Sequence, residues 1–304
     1  MNNCINFIKQ FVVAFACLFL ASCYGAKKSA LRNALDTTKI NQQAEATQLK
    51  LSIEKRDQAI QEERIDTTIS NRINAKLERY IYEMDSVNRE ITSLEAALNN
   101  GKVFRKTYDD SIKPKVEKLE ERKKGNQLRL KKFTMLNEAL DISKQNPFDL
   151  AAFFGPGKYS IPEDNYQQAA TLFAPAVDSL IIFSNKYADI PRTSTLVVNG
   201  FADGQAIDTA SELYTTLLKH LDRSEANKQE LNLALSQLRA LEISGVLDKL
   251  LKQKKDEFIN GNNINFEFCG YGQGETYPSK KITNYKEDDP RRRIVLIYWS
   301  VVPK

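Results

Sequence analysis

Residues 195–203 read Thr-Leu-Val-Val-Asn-Gly-Phe-Ala-Asp. Thr195–Asn199 is a short apolar run rich in β-branched residues, the composition of a buried strand. Gly200 closes the run, and Asp203 follows three positions on. Working outward, Asn232 to about Leu251 carries the spacing of a helix, with Asn232 and Arg239 seven positions apart and so on one face. Upstream, Pro162-Glu163-Asp164 opens a helix with apolar positions at Leu172, Phe173, Val177, Leu180, Ile181 and Tyr187. Lys158–Ile161 reads as a short strand, and Gly155-Pro156-Gly157 as a turn. Downstream, Asn263–Gly270 alternates, placing Ile264, Phe266 and Phe268 on one face of a strand. Arg293–Val302 is a last strand rich in Val, Ile, Tyr and Trp299. Strands alternating with helices predict an α/β sandwich built on one mixed, four-stranded sheet.

Four pieces of this half, in order, resemble the OmpA-family peptidoglycan-binding domain. Gly200-Phe201-Ala202-Asp203 stands where the family has Gly-His-Thr-Asp. Asn232-Leu233-Ala234-Leu235-Ser236-Gln237-Leu238-Arg239-Ala240 matches its Asn-x-x-Leu-Ser-x-x-Arg-Ala. Gly272-Gln273-Gly274-Glu275-Thr276-Tyr277-Pro278 matches its Gly-x-Gly-Glu-x-x-Pro, and Arg292-Arg293-Ile294 its Arg-Arg-Val. The resemblance covers about residues 150–304, roughly half the chain, within an expected domain of residues 146–304.

The resemblance implies recognition, without chemical change, of the diaminopimelate in the peptidoglycan stem peptide. That side chain ends in an ammonium and a carboxylate. Asp203 takes the amino end and Arg239 grips the carboxylate in a bidentate fork. Asn232 meets the peptide backbone, and Arg292 or Arg293 adds a second carboxylate contact. Glu275 and Pro278 shape their loop. Each also has a structural alternative: Asp203 as a cap, Arg239 and the arginine pair as partners of acids on the fold. Two departures stand out. Phe201 and Ala202 replace His-Thr, and the segment from Asp203 to Arg239, 36 positions, is longer than the family's. The extra residues, near 204–231, include a helical stretch at Ser211–Leu221. They lie beside the expected cleft and are placed to cover it, change its ligand or meet another protein.

The N-terminal half is different. Between Lys27 and Gln145 the one proline is Pro114. Ile65, Ile69, Ile73, Leu77, Ile81, Met84, Val87, Ile91, Leu94 and Leu98 recur at steps of three or four, a coiled-coil-like stripe. Asn99-Asn100-Gly101 ends a helix, and Pro114 suits the first turn of another. Residues 31–145 therefore predict a long antiparallel helical hairpin, first arm longer, and the overall class is α+β. A first arm of about 70 residues would extend roughly 105 Å, more than the second arm covers, which points to a partner helix or a second copy of the chain. Lys113–Lys132 carries nine basic and three acidic residues, either a patch for an anion or a solvated helix face.

Met1–Ser22 has Lys9 as its only charge, and Phe11–Leu20 is unbroken and apolar. That run is short for a membrane span and suits a signal-peptide core. Leu20-Ala21-Ser22-Cys23 resembles the lipobox of bacterial lipoproteins, which implies cleavage after Ser22, acylation of Cys23 and a lipidated tether over 23–30. No Asp follows Cys23, and no acidic cluster does, which implies the periplasmic leaflet of the outer membrane. Only Cys269 would remain as a thiol, so no intramolecular disulfide is available to the mature chain.

Composition narrows the classes. The single histidine, His220, leaves no basis for a His-rich metal site or an acid–base histidine network. The 44 basic and 39 acidic residues are interleaved, which argues against a nucleic-acid partner. No cofactor motif is present, and nothing pairs a nucleophile with a base. The sequence thus predicts a non-enzymatic tether between outer membrane and peptidoglycan. The competing reading is a coiled-coil scaffold of an envelope secretion or transport assembly.

Overall fold

The structure is a computed structural model that describes the backbone of residues 2–149, 154 and 158–304; the side chains of residues 2–23, 148–149 and 290 are not described. The lipobox, Cys23 included, therefore lies outside the described side chains. Among the described residues no helix is long and apolar enough to cross a membrane. The fold is α+β, with long N-terminal helices and a four-stranded mixed sheet. The helices are α1 (Asn2–Gln61), α2 (Thr67–Asn99), α3 (Gly101–Thr107), α4 (Lys113–Lys124) and α5 (Asn126–Ile142), with a π-helical turn at Tyr108–Ile112. After strand β1 (Asn146–Asp149) come α6 (Glu163–Lys186), β2 (Arg192–Gly200), α7 (Glu212–Leu221), α8 (Lys228–Gln253), β3 (Ile264–Gly272) and β4 (Ile294–Pro303).

Two compact units result. One holds residues Met1–Lys50 and Lys76–Phe133, the other Leu51–Ala75 and Thr134–Lys304. The second unit includes a helical hairpin of its own, residues Leu51–Ala75. That hairpin turns at residues 62–66, a turn the sequence reading did not include, while α2 ends at Asn99 where Asn99-Asn100-Gly101 was expected to end a helix. Glu63 takes a left-handed φ of 58°, and Asp66 caps α2 by accepting from the Ile69 amide at 2.9 Å. Because the turn has no glycine or proline and the apolar stripe runs through it, the sequence reads as one helix there. The hairpin shortens the first arm.

In the first unit, Leu31 and Leu35 of α1, Val87, Ile91, Leu94 and Leu98 of α2, and Phe104, Ile112 and Leu119 form one core. Val87, Ile91, Leu94 and Leu98 of the stripe are thus buried by helices of the same chain. Ile81 alone of the stripe is a large exposed residue. Within the basic stretch 113–132, Lys118 pairs with Glu90 at 3.3 Å, Lys123 with Glu120 at 3.7 Å, and Arg122 and Arg129 with Glu45 at 2.8 and 2.7 Å.

In the second unit the sheet order is β1-β4-β2-β3, with β2 and β3 parallel and the other pairs antiparallel. Leu196, Val198, Val295, Ile297, Trp299 and Val301 pack with Phe173, Val177, Leu180, Ile243 and Leu247 of α6 and α8. Ile264, Phe266 and Phe268 pack against the same core, as their alternation predicted. The first strand is β1 at Asn146–Asp149, whereas Lys158–Ile161 is irregular. Asn146-Pro147 ends the helix as expected, but Pro147 then sits on an edge strand, where a missing N–H is tolerated. Arg72 of α2 donates to Thr195 Oγ1 at 3.0 Å and pairs with Glu267. Loop residues 279–281 clasp the hairpin turn: Ser279 Oγ donates to Glu63 at 2.8 Å and Lys281 Nζ to the Glu62 carbonyl at 2.8 Å.

Candidate functional site

β2 fixes the start of the site. Gly200 lies so close to α8 that a Cβ there would meet the Ser236 carbonyl and the Ala240 side chain. The amides of Phe201, Ala202 and Gly204 donate to the carbonyls of Ile294, Gly274 and Glu287 at 3.0, 2.8 and 2.7 Å. Asp203 is thus held in a loop with little freedom. Phe201 and Ala202, where the family has His-Thr, are both buried.

α8 supplies the second wall. Its capping box joins Asn227 and Glu230, with the Glu230 amide 2.9 Å from Asn227 Oδ1 and the Asn227 amide 3.0 Å from Glu230 Oε2. Ser236 Oγ accepts from the Gly274 amide at 2.9 Å. Gln237 brackets β3, donating to the Gly270 carbonyl at 2.8 Å and accepting from the Gly272 amide at 2.6 Å. These contacts set the rotation of α8 and aim Asn232, Leu235 and Arg239 into a cavity of about 640 Å³.

Asp203, Asn232, Arg239 and Arg293 all line that cavity. Asp203 and Arg239 are each only 8% exposed. Arg293 Nε donates to Asp203 Oδ2 at 2.7 Å. Arg239 donates from Nε and Nη2 to the Lys158 carbonyl at 3.3 and 3.2 Å, and its guanidinium lies 5.6 Å from the Phe154 ring centre. Burial pushes the Arg239 guanidinium down to about 10; Asp203 opposes that shift and Arg293 adds to it. It remains a cation at neutral pH, without an ion pair to any described residue.

Asn232 and Arg292 both make contacts of their own within the chain. Asn232 lines the cavity, but both its N–H bonds are made internally, to the Gln205 carbonyl at 3.1 Å and Glu275 Oε1 at 2.8 Å. Its two N–H groups are engaged within the chain, and Oδ1 is the atom left to accept from a peptide backbone. Arg292 is outside the cavity. Its guanidinium donates to the carbonyls of Lys286 at 3.2 Å, Glu287 at 2.7 Å and Glu275, and lies 5.0 Å from the Tyr277 ring centre. It ties the 275–287 loop together. Of the pair, Arg293 is the residue at the site. Glu275 shapes its loop, as expected.

The extra segment near 204–231 forms the third wall. Gln205, Ile207, Asp208, Ser211, Glu212, Leu213 and Thr216 line the cavity. Leu213 and Leu217 of α7 pack on Leu231, Ala234 and Leu235 of α8, so α7 flanks the cavity and leaves it open. Lys158 pairs with Glu212 at 3.5 Å between the two sides. Sequence reasoning missed Lys158 and Phe154, because no motif or periodicity marks either of them as a neighbour of Arg239. Among the described residues no group of His, Cys, Asp or Glu is placed to hold a metal ion.

Comparison with known proteins adds little. No protein-family model matches the chain. No curated protein matches it. Among solved structures, it is similar to the periplasmic domain of MotB, at 16% identity and a TM-score of 0.28, over 51% of this chain and 62% of that one. The match spans less than two thirds of that chain, and a similarity this low assigns nothing to the present one.

Proposed function

We propose that the chain is a non-enzymatic lipoprotein of the cell envelope, anchored by acylated Cys23 in the periplasmic leaflet of the outer membrane. Its C-terminal unit binds peptidoglycan through the stem-peptide diaminopimelate. One observation carries the reading: Asp203 and Arg239, 36 positions apart in sequence, line one cavity with opposite charges, with Arg293 beside them. Asp203, Arg239 and Arg293 sum to one excess positive charge. A ligand group carrying one ammonium and one carboxylate finds a counter-charge for each among these three side chains. Arg293 engages one oxygen of Asp203, and no described residue donates to the other, which leaves an acceptor for the ammonium. Arg239, buried and without an acid of its own, is the receptor for the carboxylate. The order of the four OmpA-like motifs supports the same assignment, since each meets the others around this cavity or in the loops that support it.

The test is sedimentation with isolated sacculi, using the purified chain from Tyr24 onward. The wild type should pellet with the cell wall, while Asp203→Ala and Arg239→Ala should stay soluble with unchanged helical content. A folded wild type that ignores sacculi would sink the peptidoglycan reading. Labelling of the full-length chain with a fatty acid, lost in Cys23→Ser, tests the anchor separately.

A further inference from the structure

The end of the first unit that follows Cys23 carries a cluster of aromatic and basic side chains that the peptidoglycan reading does not use. Tyr24 donates to the Gly101 carbonyl at 3.4 Å and meets Phe104 edge-on, ring centres 5.4 Å apart. Phe104 in turn packs on Tyr108 at 5.2 Å. Asn100 caps α3 by accepting from the Val103 amide at 3.2 Å, so α3 is pinned beside the start of the mature chain. Phe104 faces inward and is fully buried, which turns Lys102, Arg105 and Lys106 outward on the opposite side. Val103 is exposed beside them. Lys27 lies 4.4 Å over the Tyr108 ring and Arg105 4.5 Å over Tyr24. Lys27 pairs with Asp109 at 3.2 Å, but Lys28, Lys102, Arg105 and Lys106 make no ion pair with a described residue. Even with Asp109 and Asp110 counted, the five cations leave this end three charges positive.

We infer that this end, formed by Tyr24, Lys27, Lys28, Lys102, Val103, Arg105 and Lys106, is a docking surface for an anionic lipid bilayer. The charge sign matches lipid phosphates, and tyrosine is a side chain suited to the headgroup layer. The position matches as well. Tyr24 is covalently next to Cys23, so an acyl anchor there would deliver this face to the membrane. A basic patch beside an acyl chain adds a second, electrostatic contact to the hydrophobic one. The inference rests on the anchored reading only for where the membrane would lie; the surface itself is tested without lipid on the protein.

The experiment is co-sedimentation of the unacylated chain from Tyr24 onward with vesicles of phosphatidylethanolamine containing about one-third phosphatidylglycerol, beside vesicles of phosphatidylcholine. The wild type should bind the anionic vesicles at low salt, lose them at high salt, and ignore the neutral ones. The Lys102→Glu, Arg105→Glu, Lys106→Glu triple variant should bind about tenfold more weakly or worse. Lys123→Glu with Lys124→Glu, exposed on the same unit, should bind as wild type. Failure of the wild type to bind, or equal behaviour of the two variants, overturns the proposal. Binding to vesicles together with absent labelling of Cys23 would overturn the anchor alone.

Discussion

Arg293 reaches Asp203 through a single carboxylate oxygen, with Nε 2.7 Å and Nη2 2.5 Å from Oδ2. Across the same cavity Arg239 finds only the Lys158 carbonyl. The Asp203 carboxylate is thus paired with Arg293, and the more deeply buried guanidinium, Arg239, has no carboxylate partner among the described residues. That imbalance is a reason for a fold to keep a site open to an external carboxylate, because a bound anion relieves a desolvated cation.

A stem peptide ending in free diaminopimelate should therefore raise the melting temperature of the chain, and the same peptide with its terminal carboxylate amidated should not. Loss of that charge contact in a desolvated site should weaken binding by about 2–5 kcal/mol. Calorimetric titration of both peptides, beside thermal melts, checks the point. Equal affinity for the two would remove Arg239 from the role of carboxylate receptor.

Arg292 should behave in the opposite way to Arg293. Its three carbonyl partners lie in residues 275–287, so Arg292→Ala leaves several buried acceptors without a charged donor. The expected cost is about 2–4 kcal/mol of folding stability, with little rescue by Lys, which cannot span all three carbonyls from one point charge. Urea titration measures this. A variant of normal stability that fails to bind sacculi would instead return Arg292 to the ligand.

Much of the second unit was legible from sequence. Alternation at Ile264, Phe266 and Phe268 and the apolar run at Thr195–Asn199 fixed two strands, because burying one face of a sheet imposes a period of two. The helix with Asn232 and Arg239 on one face aimed both at one cavity. Two kinds of information were missing. The turn at Glu63 has no glycine, and its left-handed residue is held by tertiary contacts with Ser279 and Lys280, which local sequence does not record. The roles of Asn232 and Arg292 depended on which loop carbonyls came within reach, and motif spacing gives residue type without saying what else competes for the donors.

The glycines of the third motif offer a sharper test. A Cβ at Gly272 would lie 2.6 Å from the Leu233 carbonyl oxygen, 2.7 Å from the Gln237 amide and 2.8 Å from Ser236 Oγ. Gly272→Ala must push α8 from the sheet and should cost about 1–3 kcal/mol. Gly245, inside the same helix, has nothing within 4 Å of the added carbon. Gly245→Ala should stabilise by about 0.5–1 kcal/mol. Opposite signs in denaturant titrations of the two variants are expected, and destabilisation of equal size would show that α8 is not positioned by this contact.

Lys76 gives a pH dependence. Burial, reinforced by Lys132 and Arg79 and opposed by Glu83, pushes its ammonium from about 10.5 down to about 8. The unfolded chain then holds a proton that the folded chain has lost between those two values. Stability should rise with pH across that window, and the penalty is fully present below about 8. Because Lys76 is only half-buried, solvent screening reduces the effect to about 1 kcal/mol or less. Lys76→Met should melt higher at neutral pH and lose this part of the pH dependence. A melting curve that falls from pH 8 to 10 in the wild type relative to the variant would contradict the assignment.

Glu45 is the strongest single determinant expected in the first unit. Its side chain is 3% exposed and receives Arg122 on one oxygen at 2.8 Å and Arg129 on the other at 2.7 Å. Arg129 also donates to the Arg122 carbonyl at 2.6 Å, so the three groups form one network between α1, α4 and α5. Burial lowers the Arg122 guanidinium's proton affinity, with Glu45 as the chief opposing influence. Glu45→Ala leaves two cations facing each other in a partly dry site and should cost about 3–5 kcal/mol. Replacing Glu45, Arg122 and Arg129 together with methionine or leucine should cost far less, or nothing, because the desolvation of three charges disappears with their attraction. Denaturant titration of the single and triple variants decides it. If the triple variant is as unstable as Glu45→Ala, the network sets the geometry of these helices in a way that apolar packing does not replace.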